Sequence, residues 1–128
     1  MNRPDISVLL VDNDPHTCGI FQMVMDHHKL PLTTFENAEE AITHLENHVP
    51  NIAVFDLFLP GMDGYQALAH IRKTGLAPGC RFVATTAYYT DHTEREVLSH
   101  GFDGYIAKPF SVENLVAYLA KIMDNPGL

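Results

Sequence analysis

The sequence predicts an α/β fold in which five strand-helix repeats wind one parallel sheet into a single doubly wound domain, and three observations carry that prediction. Short apolar runs alternate with segments of helical apolar spacing, runs such as Val8 to Val11 and Ile52 to Phe55 lack the polar alternation of half-exposed strands, and capping residues stand where a run gives way to a helix. A strand that is apolar at consecutive positions is covered on both faces, so helices must lie on both sides of the sheet. With 128 residues the chain suffices for one packed core, and no linker or repeat divides it, so residues 1–128 are read as one domain.

The first run is Ser7 to Val11, and Asp14 before Pro15 marks the start of a helix that closes near His27-His28, where imidazolium favours the carbonyl end. Cys18 falls in that helix and reads as a small core side chain. The second run is Leu30 to Phe35, followed by Asn37 with Glu40 three residues on, a capping pattern. His44 and His48 have helical i, i+4 spacing suited to a shared metal, but no third ligand declares itself and a solvated face is the better reading. The third run, Ile52 to Phe55, leads through a turn built on Gly61 and Gly64 to a helix that stops at Gly75. The fourth is Arg81 to Thr85, with Asp91 and Glu94 marking a helix start and Gly101 its stop. The fifth is Gly104 to Ala107. After it, Ser111 opens a last helix with the stripe Val112, Leu115, Val116, Leu119 and Ile122, fraying at Asn125-Pro126-Gly127. Five such repeats imply right-handed crossovers and a doubly wound sheet, for which 2-1-3-4-5 is a common strand order and the one expected here.

Composition removes several classes of function. A formal net charge of -8 offers no attraction to phosphate backbones or anionic membranes, so direct nucleic-acid contact and membrane binding are not expected. The apolar stretches around Asp56 are far shorter than the roughly 20 residues of a spanning helix. No signal peptide is read in Asn2-Arg3-Pro4-Asp5, and the two cysteines, Cys18 and Cys80, lack metal or redox spacing, so a reducing cytoplasm is the expected location.

In a doubly wound sheet, ligand chemistry gathers beyond the carboxyl ends of the strands. The runs end in Asp12-Asn13-Asp14, in Asp56, in Thr85-Thr86-Ala87 and in Lys108-Pro109, so carboxylates, a hydroxyl and an ammonium converge on one edge. Such a set suits phosphoryl transfer to a carboxylate: a nucleophilic Asp, a hard divalent cation held by oxygens, and donors for the transferred oxygens. Magnesium needs only one or two protein carboxylates when phosphate oxygens and water complete its shell.

The stretches Val8-Leu9-Leu10-Val11-Asp12-Asn13-Asp14-Pro15, Asp56 with Leu59-Pro60-Gly61-Met62-Asp63-Gly64, Thr86-Ala87, and Gly104-Tyr105 with Lys108-Pro109-Phe110 together resemble the receiver domain of two-component response regulators, along essentially the whole chain. The resemblance implies a flavodoxin-like fold and a phosphorelay role in which Asp56 accepts phosphate from a histidine kinase or a histidine phosphotransfer protein. It implies a magnesium site made by Asp12, Asn13, Asp56 and the backbone carbonyl of Phe58, phosphoryl contacts from Thr86 and Lys108, and a cis bond before Pro109. It further implies a switch in which Thr86 moves inward and Tyr105 follows. That remodels the surface of helix 4, strand 5 and helix 5, which controls an output domain or protein and can pair two phosphorylated copies. On this reading the chain is a signalling domain and not an enzyme, apart from magnesium-dependent gain and loss of its own phosphate.

Two departures from the family pattern stand out. Asn13 replaces the usual second acid, removing one metal-facing charge, and weaker magnesium binding is expected; Asp14 could compensate, but as the residue before Pro15 it reads first as a helix cap. Phe58 and Tyr88, two residues beyond Asp56 and Thr86, are both large, and they are expected either to hinder the water that removes phosphate or merely to fold onto the surface. Two other functions compete. A phosphohydrolase of the haloacid-dehalogenase type wants a second Asp where Phe58 stands, and a phosphorylation-independent interaction module takes its support from Asn13.

Overall fold

The structure, a computed structural model, describes residues 6–124. Its elements run β1 (Val8–Val11), α1 (Pro15–His27), β2 (Leu32–Phe35), α2 (Ala38–Leu45), β3 (Ile52–Asp56), α3 (Gly64–Thr74), β4 (Arg81–Thr86), α4 (Thr93–Ser99), β5 (Gly104–Ala107) and α5 (Leu115–Asp124). All strands are parallel, in the expected order β2-β1-β3-β4-β5. The leader reading at Asn2 to Asp5 and the fraying at Asn125 to Gly127 lie outside the described residues.

The period-two geometry of the strands splits the core into two layers. Val8 and Leu10 of β1, with Val54 and Val83, face α1 and α5, where Phe21, Met25, Leu115, Leu119 and Ile122 cover them. Leu9 and Val11, with Phe55, Phe82 and Ala84, face the other way, under Ala41, Leu45, Ala67, Leu68, Ile71 and Val97 of α2, α3 and α4. Full burial of each large aliphatic side chain stabilises by about 1.5–3 kcal/mol. This holds the five strand ends in one rigid edge.

Local chemistry explains most boundaries. Asp14 caps α1, its carboxylate accepting from His16 N, and Asn37 caps α2 by accepting from Glu40 N. Asp63 and Gln66 form a reciprocal capping box at α3, and Gly75 ends that helix at φ 73°. The second strand starts later than the apolar run suggests, because Lys29 turns left-handed (φ 57°) and Leu30 N donates back to Met25 O, so that Leu30 closes α1 instead of opening β2.

Two helix starts need correction. Asp91 does not cap α4: His92 occupies the cap position without a side-chain bond, and the turn is closed by Thr93 Oγ1 accepting from Thr90 N at 2.8 Å and Thr90 Oγ1 accepting from His92 N at 3.2 Å. Ser111 does not open α5 directly: Asn114 N donates to Ser111 O in a separate turn, the helix begins at Leu115, and Val112 is left exposed instead of joining the buried stripe.

Candidate functional site

Asp12 follows the last residue of β1, Asp56 is the last residue of β3, and Lys108 follows β5, so three segments distant in sequence reach one edge. The sheet register sets their neighbours: Asp56 lies opposite Thr85, Leu57 N donates to Thr85 O at 2.9 Å, and Lys108 N donates to Thr86 O at 3.0 Å. The Lys108–Pro109 bond is cis.

The side chains meet around one ammonium. Lys108 Nζ stands 2.6 Å from Asp12 Oδ2 and donates to Asp56 Oδ2 at 2.9 Å. The other oxygens are occupied locally, Asp12 Oδ1 accepting from Asp14 N and Asp56 Oδ1 from Phe58 N, both at 2.9 Å. Asp12 is wholly buried, and its Oδ2 has the Lys108 ammonium as its one close partner. Burial raises the Asp12 carboxyl above the ordinary carboxylate range, against the pull of Lys108 and the Asp14 amide, and the Asp56 charge adds to the rise. For Lys108 burial acts to lower the pKa, but the two carboxylates outweigh it and hold the ammonium above its ordinary value.

Two buried carboxylates that share a single ammonium carry one uncompensated negative charge, which fits a hard cation better than a packed core. Among the described residues no three His, Cys, Asp or Glu side chains cluster for a metal. A cation here would take Asp12 and Asp56 as its charged ligands, and the Phe58 carbonyl and the Asn13 amide are the further oxygens that the family resemblance implies. Asn13 is exposed beside Asp12. Asp14 is committed to its cap, accepting from both His16 N and Thr17 Oγ1, which removes it as a replacement ligand and holds its carboxyl below the ordinary range.

Thr86 is buried next to this group, and its Oγ1 accepts from Tyr88 N at 3.0 Å and donates to Tyr88 O at 3.4 Å. Tyr105 is half-buried against the α2, α3 and α4 layer, and its hydroxyl is sealed from solvent without a partner. Phe58 and Tyr88 are exposed, 59% and 77%, yet touch edge to face with ring centroids 5.5 Å apart, bridging the loops that follow β3 and β4.

Cys18 proves half-buried, its thiol donating to Asp12 O at 3.4 Å, while Cys80 is buried and its thiol is pushed up to about 12 by burial and by Asp103. His44 and His48 stack face to face at 4.4 Å on the rim of α2, with His44 also against Phe35. Sequence reasoning misses Glu39, whose Oε2 accepts from Met62 N at 3.3 Å across 23 positions. No local pattern announces a contact between a helix side chain and the backbone of a distant loop.

Among the described residues no helix is long and apolar enough to cross a membrane. The pattern of the response regulator receiver domain matches residues 8–120. The chain is 29% identical to an uncharacterized 14.6 kDa protein of Leptolyngbya boryana, over 87% of this chain and 85% of that one. It is 36% identical to the transcriptional regulatory protein PhoP of Escherichia coli K12 over 73% of this chain and 41% of PhoP, and 30% identical to TrcR of Mycobacterium tuberculosis over 92% and 45%. The chain thus spans less than half the length of these two regulators. Among solved structures, a Francisella response regulator receiver domain superposes with a TM-score of 0.84 at 22% identity, covering 94% of this chain and 98% of that one, a likeness of fold. A CheY-like receiver domain protein of Methanospirillum hungatei JF-1 gives 0.82 at 26% identity, covering 94% and 95%.

Proposed function

We propose that this chain, which belongs to the response regulator receiver domain family, accepts a phosphoryl group on Asp56 from a phosphohistidine donor in a two-component relay. The observation that carries the reading is the Lys108 ammonium held between Asp12 Oδ2 and Asp56 Oδ2, at 2.6 and 2.9 Å. As a member of a signalling family the domain is not a classical enzyme, and its own chemistry is confined to gaining and losing one phosphate.

In the step proposed, an Asp56 carboxylate oxygen forms a bond to phosphorus as the phosphorus–nitrogen bond of the donor breaks. The imidazole nitrogen keeps the bonding pair and takes a proton from solvent. Phe58 N orients the Asp56 carboxylate, Lys108 turns from a carboxylate to a phosphoryl oxygen, and Thr86 Oγ1 gives up its 3.4 Å bond to Tyr88 O to donate to another. Asp12, Asp56, Asn13 and the Phe58 carbonyl would hold magnesium, which when bound supplies positive charge to the transferring oxygens. Phe58 and Tyr88, leaning on each other over the mouth, restrict the line along which water reaches the phosphate and prolong its lifetime.

The report of phosphorylation runs through Thr86 and Tyr105. Withdrawal of the Thr86 hydroxyl changes the space beside the half-buried Tyr105, and the face of α4, β5 and α5 shifts between two populations. That face meets an output domain or protein, or a second phosphorylated copy; the donor is a histidine kinase or a histidine phosphotransfer protein, and the site of action is the cytoplasm.

Exposure to acetyl phosphate or beryllofluoride with magnesium tests this. Amide shifts at Phe58, Thr86 and Tyr105 are expected in the wild type and absent in Asp56→Asn. A wild type that responds no more than the variant is a phosphorylation-independent interaction module, the reading that Asn13 favours.

A further inference from the structure

The loop after β3 holds the Phe58 carbonyl, and most of its anchors are its own: Phe58 N on Asp56 Oδ1, Gly64 N on Leu57 O, and the Asp63–Gln66 capping box. Between them, Gly61 and Met62 are reached from outside by Glu39, in the first turn of α2. Its Oε2 accepts from Met62 N at 3.3 Å and sits where a Cβ on Gly61 would come within 2.9 Å; Gly61 itself has φ +72°. The carboxylate of Glu39, an exposed residue, therefore closes on bare backbone at a left-handed turn that favours glycine. Glu39 is well anchored to do this, since Ala38, Ala41, Ile42 and Leu45 of the same helix are buried against α3 and the sheet.

From this geometry we infer that Glu39 is a positioning residue for the phosphoacceptor site. By tying Met62 N to α2 it fixes the path of the Leu59–Met62 turn, and so the direction in which the Phe58 carbonyl faces the carboxylates. The inference rests on the reading of Asp56 and Phe58 given above. Glu39 touches neither the acceptor nor a ligand position, and acts only through the loop.

Charge and hydrogen bonding are separable at this residue. Glu39→Ala removes both, while Glu39→Gln keeps an acceptor oxygen and removes the charge. In a magnesium titration followed by amide shifts, Glu39→Ala is expected to weaken binding roughly threefold to tenfold, with Glu39→Gln within about twofold of wild type. The initial rate of phosphorylation by phosphoramidate at saturating magnesium should stay unchanged in both, so that the defect lies in the magnesium requirement and not in the maximal rate. Without metal, amide exchange at Met62 and Phe58 should quicken in Glu39→Ala and recover in Glu39→Gln.

Equal magnesium affinity in wild type and Glu39→Ala overturns the inference. So does a Glu39→Gln as weak as Glu39→Ala, which would assign the effect to charge, or exchange that quickens at Met62 alone. A wild type that binds magnesium but gains no phosphate defeats the proposed function and leaves the role of Glu39 readable from exchange and affinity.

Discussion

The two ends of the sheet treat polar groups in opposite ways. At the amino ends of the strands they pair with each other: Asn51 Oδ1 accepts from both Ser7 N and Ser7 Oγ, Asn51 N donates to Ser7 Oγ, and Asp103 accepts from Phe82 N at 2.8 Å beside Arg72, whose guanidinium lies over the Phe82 ring. At the carboxyl ends two buried carboxylates share one ammonium, which leaves one negative charge uncompensated. Buried polar groups contribute to stability when satisfied and cost it when crowded or orphaned, so one end fastens the strands and the other is held ready to bind something.

Three measurements sharpen or break that contrast. The largest effect is expected from Asn51→Ala, which strips Ser7 N and the Ser7 hydroxyl hydrogen of their shared acceptor while the backbone amide of residue 51 still donates to Ser7 Oγ, and should cost about 1–3 kcal/mol of unfolding free energy in urea. Its phosphorylation kinetics should match wild type; a kinetic defect without a stability loss would erase the division of labour. Next, Phe58→Asn and Tyr88→Ala each open the aromatic contact over the mouth and should shorten phosphate lifetime on the order of tenfold. Unchanged lifetimes would reduce the pair to surface packing.

The smallest effect, and the one with an unusual sign, belongs to Asp12→Asn without metal. Because burial raises the folded-state pKa of Asp12, the folded chain binds a proton there more tightly than the unfolded chain. Ionisation of Asp12 therefore costs stability as pH rises through the window between its ordinary and raised values, and the cost is complete above it. The variant should melt at a higher temperature than wild type near pH 7, with the gain disappearing below the ordinary carboxyl value of 3.8. A lower melting temperature at pH 7 would mean that the carboxyl end is fastened like the other.

Much of this contrast is legible before any coordinates. Unbroken apolar runs such as Val8 to Val11 suggest doubly covered strands, and their alternation with helical segments is what brings Asp12, Asp56 and Lys108 to one edge. Cap chemistry is legible where one side chain decides, as at Asp14 and Asn37, and fails where two compete: Thr90 and Thr93 close the turn that Asp91 and Glu94 suggest. Val112 fits the stripe of the last helix by spacing, but a turn from Ser111 to Asn114 delays that helix and turns Val112 to solvent. Contacts made by loops, with another loop as in Phe58 with Tyr88 or with a helix as in Met62 with Glu39, depend on how far each loop leans, which periodicity does not encode.

The shared ammonium also sets the electrical balance of the pocket. Two carboxylates and one lysine leave a single excess negative charge; an added dication reverses the sign, and an acyl phosphate dianion in place of the Asp56 carboxylate brings the sum back to zero. Metal and phosphate thus each suit the pocket better when the other is present, and thermodynamic reciprocity makes that preference the same whichever arrives first.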